Sequence, residues 1–391
     1  MLKYLIQVIQ NLLTTAVLIA LLDALADKTG GEKRKGRFFF WCCGGSVAAL
    51  VLAVLRRTTR LINREYINTA VLFLTIICTV FFLVLIWGFR KRAELRERFL
   101  DRLFPVLPAL LLFYALPTIF LYPAEFLLPG QSFFTTDFLF KLTGFLAGLL
   151  VTVLSALALF ETAGGLSAGG VKIFLSAALA VNMVNQLSVI LQFLLARRLI
   201  AVPRWVFRMM VRIINFYDVF LYVILAVSAA IPLGLFIKGL RPLEPGRNPA
   251  ETRKLRAGRR NRRRWIAVVV CGYAAAVLSL TVVKRYNERG VELTPAEPMT
   301  IMDGEVVIPI EKIADGHLHR YNYTAADNIE MRFIVIKKNE AAYGVGLDAC
   351  DICGPTGYYE RKDEVICRLC DVVMNISTIG FKGGCNPVPL A

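Results

Sequence analysis

Apolar runs of about twenty residues recur along the first three quarters of this chain, and that length spans the hydrocarbon core of a bilayer as a helix. The runs are 4–22, 38–55, 67–88, 103–122, 138–160, 172–196, 213–237 and 265–283. With 57% hydrophobic residues, the 391-residue chain is too apolar for a soluble protein. About eight transmembrane helices are expected, with the first run kept as a helix. Asp23 and the lack of a small-x-small cleavage pattern argue against its being a signal peptide. Pro105, Pro108 and Pro117 lie in the fourth run, where a bundle can satisfy the carbonyls they free. Gly144 and Gly148 in the fifth are spaced for close helix packing. Polar residues at membrane depth face a bundle's interior. Asn182, Asn185, Gln186 and Gln192 on the sixth run, and Asp218 in the seventh, are therefore either interhelical hydrogen bonders or pathway lining.

The net charge of +17 is unevenly placed: residues 1–283 carry +21 and the remainder −4. The excess occupies short connections, where it sets topology, and no base-stacking or groove-reading motif accompanies it, so no nucleic-acid partner is expected. Taking 23–37, 89–102, 163–171 and 239–264 as inside loops assigns 21 basic residues to the inside and 9 to the outside. Both termini then lie outside a cell membrane, with membrane lipid around the bundle. Arg197, Arg198, Arg204, Arg208 and Arg212 alternate with apolar residues, the pattern of a helix lying in the interface.

Three segments are expected: a transmembrane helical domain over 1–283, a linker over 284–300 and a C-terminal domain over 301–391. In the last, the periodicity changes to two. Glu305–Ile310, Leu318–Tyr323, Met331–Lys337 and Ala341–Leu347 read as strands, and Tyr358–Ile366 as a hairpin with Arg361-Lys362-Asp363 at its tip. The fold class is thus a polytopic α-helical membrane bundle followed by a small, mostly-β, metal- or cluster-binding domain. So small a domain has a thin core, which a metal centre would reinforce.

Of nine Cys, Cys42, Cys43, Cys78 and Cys271 lie in apolar runs and behave as small hydrophobes. The other five are Cys350, Cys353, Cys367, Cys370 and Cys385. Two Cys-x-x-Cys turns can offer four soft thiolates to one centre, either an iron–sulfur cluster or, as the alternative, Zn²⁺ in a zinc ribbon. Disulfides and a thioredoxin-like pair compete, but the number is odd and no βαβ pattern surrounds the motif. Cys385, in Gly383-Gly384-Cys385-Asn386-Pro387, is a fifth ligand, a replacement ligand or a spare thiol. His317 and His319, two apart on a strand with Tyr321 and Tyr323 continuing the face, offer a possible second metal site. They are the only His, so no transmembrane helix can supply one to haem. No Ser/His/Asp set, phosphate loop or HExxH motif is present, so no hydrolase or transferase chemistry is expected.

The tail resembles the FtrD-like family of membrane iron–sulfur proteins. The resemblance rests on Asp315-Gly316, Arg332-Phe333-Ile334, Asp348-Ala349-Cys350-Asp351-Ile352-Cys353, Gly357-Tyr358, Cys367-x-x-Cys370, Gly383-Gly384-Cys385-Asn386-Pro387 and Pro389-Leu390. It covers about 303–390 and implies a membrane-bound iron–sulfur redox protein that transfers electrons in iron or copper uptake. Its implied partners are an iron permease and an extracytoplasmic metal-binding protein. The family's pattern extends to the five Cys and not to the His pair. The alternative from the residues alone is a transporter of a small solute or metal ion with a structural zinc-ribbon tail.

Overall fold

A computed structural model describes residues 2–390 apart from 60–62, 89–92, 127–134, 198, 201–202, 216–217, 242–247, 289–292, 303–304, 325–329, 351–353, 362–363, 370–371 and 382–385. The chain divides into two compact units, Met1–Arg285 and Tyr286–Ala391.

Among the described residues of the first unit, eight helical segments are long and apolar enough to cross a membrane. Helix α1 (Leu2–Thr58) contains the first two, Leu2–Gly30 and Glu32–Thr58. The others lie on α2 (Arg64–Trp87), α3 (Ala93–Leu121), α4 (Thr136–Ala163), α5 (Ala168–Ala196), α7 (Asp218–Lys238) and α8 (Pro249–Leu278). Between α5 and α7 runs α6 (Arg204–Asn215), a short amphipathic helix that takes in Arg204, Arg208 and Arg212 of the expected set; Arg197 instead caps the end of α5 and pairs with Glu65, and Arg198 lies outside the described residues. Helix α8 continues through a π-helical turn, Ser279–Val283, into α9 (Lys284–Glu288).

Three expected loops are largely helical instead; of 89–102, residues 93–102 form the first turns of α3. Residues 23–37 lie wholly within α1, yet α1 cannot be one straight rod. Asn11 Nδ2 donates to Tyr122 Oη just beyond α3 at 2.7 Å, and Arg34 Nε donates to Asp101 Oδ1 at 2.8 Å. A Cβ on Gly45 would lie 2.6 Å from the Ala109 carbonyl oxygen. Passing from 11 to 34 thus descends α3, while passing from 34 to 45 climbs it again. The axis reverses between these contacts, and Gly30-Gly31 stands at the division between the spans. The third loop, 239–264, is helical from Pro249 onward. Asn248 Oδ1 accepts from Glu251 N at 2.7 Å and Pro249 occupies the first turn.

Close helix approach follows small residues. A Cβ on Gly148 would lie 2.9 Å from Val8 Cβ. On α5, Asn182 and Gln186 are buried while Gln192 is exposed, so the polar stripe turns inward over part of its length only. Asp218 Oδ1 accepts from Gln10 Nε2 at 2.9 Å, and its Oδ2 pairs with Lys284 Nζ at 2.5 Å. These three residues hold the start of α7 against α1 and α9.

The second unit contains three small antiparallel sheets among its described residues. Strands β1 (Thr300–Met302) and β2 (Glu305–Val307) pair. Strands β3 (His319–Thr324), β4 (Glu330–Lys337) and β5 (Tyr343–Leu347) form a meander, as do β6 (Tyr358–Arg361), β7 (Glu364–Cys367) and β8 (Val373–Met374). The expected period-two runs coincide with β2 to β7, while β1 and β8 were too short to stand out; Lys362 and Asp363 of the expected hairpin tip lie outside the described residues. Strand β4 is buried on both faces, which explains its near-continuous apolar run. Ile334 and Ile336 join one core with Leu318, Tyr358, Val365 and Met374, and Phe333 and Val335 join another with Ile313 and Tyr321.

Candidate iron–sulfur site

Cys350 and Cys367 are both buried, and both belong to the core that contains Ile334, Ile336 and Tyr358. Cys350 follows β5, and Cys367 ends β7. Two backbone bonds tie the first cysteine turn: Cys350 N donates to Gly354 O at 3.2 Å and Gly354 N to Cys350 O at 2.9 Å. Gly354 has φ of +67°, a conformation glycine takes without Cβ strain. In the second turn, Cys367 N donates to Val372 O at 3.0 Å.

Asp348 joins the two turns. Its side chain is fully buried, with Oδ1 accepting from Tyr358 N at 2.8 Å and Oδ2 from Arg320 Nε at 2.9 Å. Tyr358 lies opposite Cys367 in the β6–β7 register, so one carboxylate two residues before Cys350 reaches the residue paired with Cys367. Arg320 is buried as well and also donates to Tyr358 O and to Thr294 O. Breaking such a buried pair from one side costs about 3–5 kcal/mol, because the remaining charge is stranded. Gly357 fits against the same carboxylate. Its φ is +87°, and a Cβ there would lie 3.0 Å from Asp348 Oδ2 and 2.8 Å from Leu293 Cδ1.

Cys353, Cys370 and Cys385 lie outside the described residues. The described backbone near them is anchored: beside the contacts of Gly354 and Val372, Val388 N donates to Ala349 O at 3.0 Å and Leu347 N to Val388 O at 2.7 Å. A Cβ on Gly346 would lie 2.8 Å from Pro387 Cβ, so the chain following Cys385 passes tightly along β5 next to the first cysteine turn.

Residues 313–391 match the family model described as "Membrane iron-sulfur containing protein FtrD-like". The C-terminal domain is FtrD-like. No curated protein and no solved structure matches the chain. Within the FtrD-like domain the donor chemistry of the described part suits a cluster: two buried thiols in one apolar core, each on a backbone-tied turn. Among the described residues no set of three or more His, Cys, Asp or Glu converges as metal ligands.

The two imidazoles do not share a face, contrary to the expectation from their spacing. Strand β3 begins only at His319, so the alternation does not reach His317. His317 is exposed and its Nδ1 meets Glu360 Oε1 at 2.7 Å. His319 is buried, with Nδ1 at 2.8 Å from Glu297 Oε1 and Nε2 at 2.8 Å from Asp315 Oδ1. Burial opposes its charged form, but the two carboxylates outweigh burial and raise its pKa. The same hydrogen bond to His319, with a second from His317 N, lowers that of Asp315. Burial, followed by the charge of Glu297, pushes the Tyr321 phenol up to about 12.

Glu297, within the stretch expected as linker, also donates through its N to Arg320 O at 2.7 Å. Sequence reasoning missed the supporting roles of Asp348, Arg320, Gly357 and Glu297. Only Asp348 and Gly357 carried a signal, by lying in the motif beside the cysteines.

Proposed function

We propose that this protein is a membrane-bound iron–sulfur redox protein that transfers electrons in the uptake of iron or copper. The single observation behind this reading is the burial of Cys350 and Cys367 in one core of a domain matching an iron–sulfur family. Cys350, Cys353, Cys367 and Cys370 would hold the cluster, with Cys385 as a fifth candidate ligand. When bound, the cluster supplies one-electron chemistry. Arg320 and Asp348 set the spacing of the cysteine turns. Leu318, Ile334 and Ile336 keep water from the thiols, and solvent access is one control on such a centre's potential.

The distribution of basic residues supports an extracytoplasmic position for the domain in a cell membrane. An iron permease and an extracytoplasmic metal-binding protein are the proposed partners. Electrons would enter from a quinone, a flavin or another protein.

The test is iron, zinc and acid-labile sulfide analysis of full-length protein purified without oxygen. Iron and sulfide in equal amounts are expected, with visible absorption that Cys367→Ser removes. A colourless protein with stoichiometric zinc and no sulfide would replace this reading with the zinc-ribbon transporter.

A further inference from the structure

Between the end of α7 and the first turns of α8 lies a cavity of about 660 Å³. Its α8 wall is built from Glu251, Lys254, Leu255, Gly258, Arg259 and Arg262, and this spacing is that of one helix face. The α7 end contributes Lys238 and Arg241. Among the described residues, five basic side chains and one acidic one therefore line a single hollow. Arg259 Nη2 donates to Arg241 O at 2.6 Å, which ties the residues just past α7 to α8. Lys238, Lys254 and Arg262 make no ion pair among the described residues. At Gly258 a Cβ would meet nothing within 4 Å, so the middle of the face is open.

A topological signal needs basic residues on one side of the membrane but does not need them gathered around a cavity. Gathering them costs mutual repulsion, which an anion in the hollow would relieve. Basic pockets at the ends of membrane helices suit phosphate groups, to which arginine offers planar paired donors. We propose that this cavity is a binding site for a phosphate group, carried by an anionic phospholipid headgroup or by a soluble phosphate compound. The inference does not depend on the redox reading of the C-terminal domain.

The test uses the full chain in nanodiscs and two triple variants of equal charge change. Lys254→Gln/Arg259→Gln/Arg262→Gln empties the cavity wall. Arg253→Gln/Arg256→Gln/Arg260→Gln removes three cations from the opposite face of the same helix. One arm counts phosphatidylglycerol retained on release into native mass spectrometry; the other titrates pyrophosphate into phosphatidylcholine nanodiscs. Three cations at a membrane surface, each contributing roughly a factor of five, predict about a 100-fold loss of affinity for the wall variant. The opposite-face variant should stay within a few-fold of the parent, and both should keep the parent's melting temperature. Selective loss in the lipid arm assigns the site to a headgroup, and selective loss in the pyrophosphate arm to a soluble phosphate. Equal loss in both variants, or no binding by the parent in either arm, overturns the proposal.

Discussion

His319 shows how one buried side chain can draw distant segments together. Its two ring nitrogens meet carboxylates from Glu297, before β1, and Asp315, before β3. Because its pKa is raised in the folded chain, its stabilising contribution is complete below the unfolded value near 6.5 and is lost as pH climbs through the folded value. Asp315 has the opposite sign: its lowered pKa gives stability above the unfolded value near 3.8, lost as pH falls through the folded one. The network is therefore strongest in mildly acidic to neutral solution. Raising the pH from about 6 to about 9 should increase amide exchange across His319–Thr324, after correction for intrinsic rates, and His319→Gln should flatten that dependence. Protection in the parent that does not change with pH would contradict the account.

Among the elements, the reversal in α1 is the least expected. Gly30 allows it by lacking a side chain, since a Cβ there would lie 2.5 Å from Arg34 Cβ and 2.2 Å from Arg34 Cδ. Arg34 itself is buried, ion-paired to Asp101 at 2.5 Å and stacked 5.0 Å from the centre of the Phe104 ring. Gly30→Ala should push Arg34 off these partners and cost about 1–3 kcal/mol, the usual range for overpacking. Gly36, on the same helix, has open space around it, and Gly36→Ala should leave stability unchanged or slightly raised. Thermal unfolding of both variants in detergent checks the pair; similar melting temperatures would show that the reversal does not depend on Gly30.

For the whole molecule, if all eight candidate spans among the described residues cross the membrane, the amino terminus and the C-terminal domain are expected on the same side. The proposed orientation makes that side the outside. Tags at both ends should therefore react with a membrane-impermeant reagent on intact spheroplasts, before permeabilisation. Labelling of one end alone would contradict eight spans, and labelling of neither would reverse the orientation. Helix α8 with its extension covers Pro249–Tyr286, about 57 Å at 1.5 Å per residue, against a hydrocarbon core of about 30 Å. Its arginine-rich turns therefore have length to spare beyond the apolar layer.

Much of this architecture follows from local pattern. Twenty-residue apolar runs become helical spans because a helix satisfies its backbone groups within the segment, where lipid offers them no partners. Period-two runs become β3 to β7 because each must bury one face or, in β4, both. The paired spacing of Cys350 with Cys353, and of Cys367 with Cys370, marked the tail as a candidate for a cluster or zinc, and the family match falls on the same domain. Local pattern could not show that charged stretches would be helical, because Lys, Arg and Glu are sound helix formers as well as loop residues. Nor could it pair Asp348 with Arg320, or His319 with Glu297, since those partners are separated along the chain and meet only once the sheets have packed. Burial makes these pairings specific: a charge out of water must find an opposite charge or a hydrogen bond, and only the folded chain determines which residue is within reach.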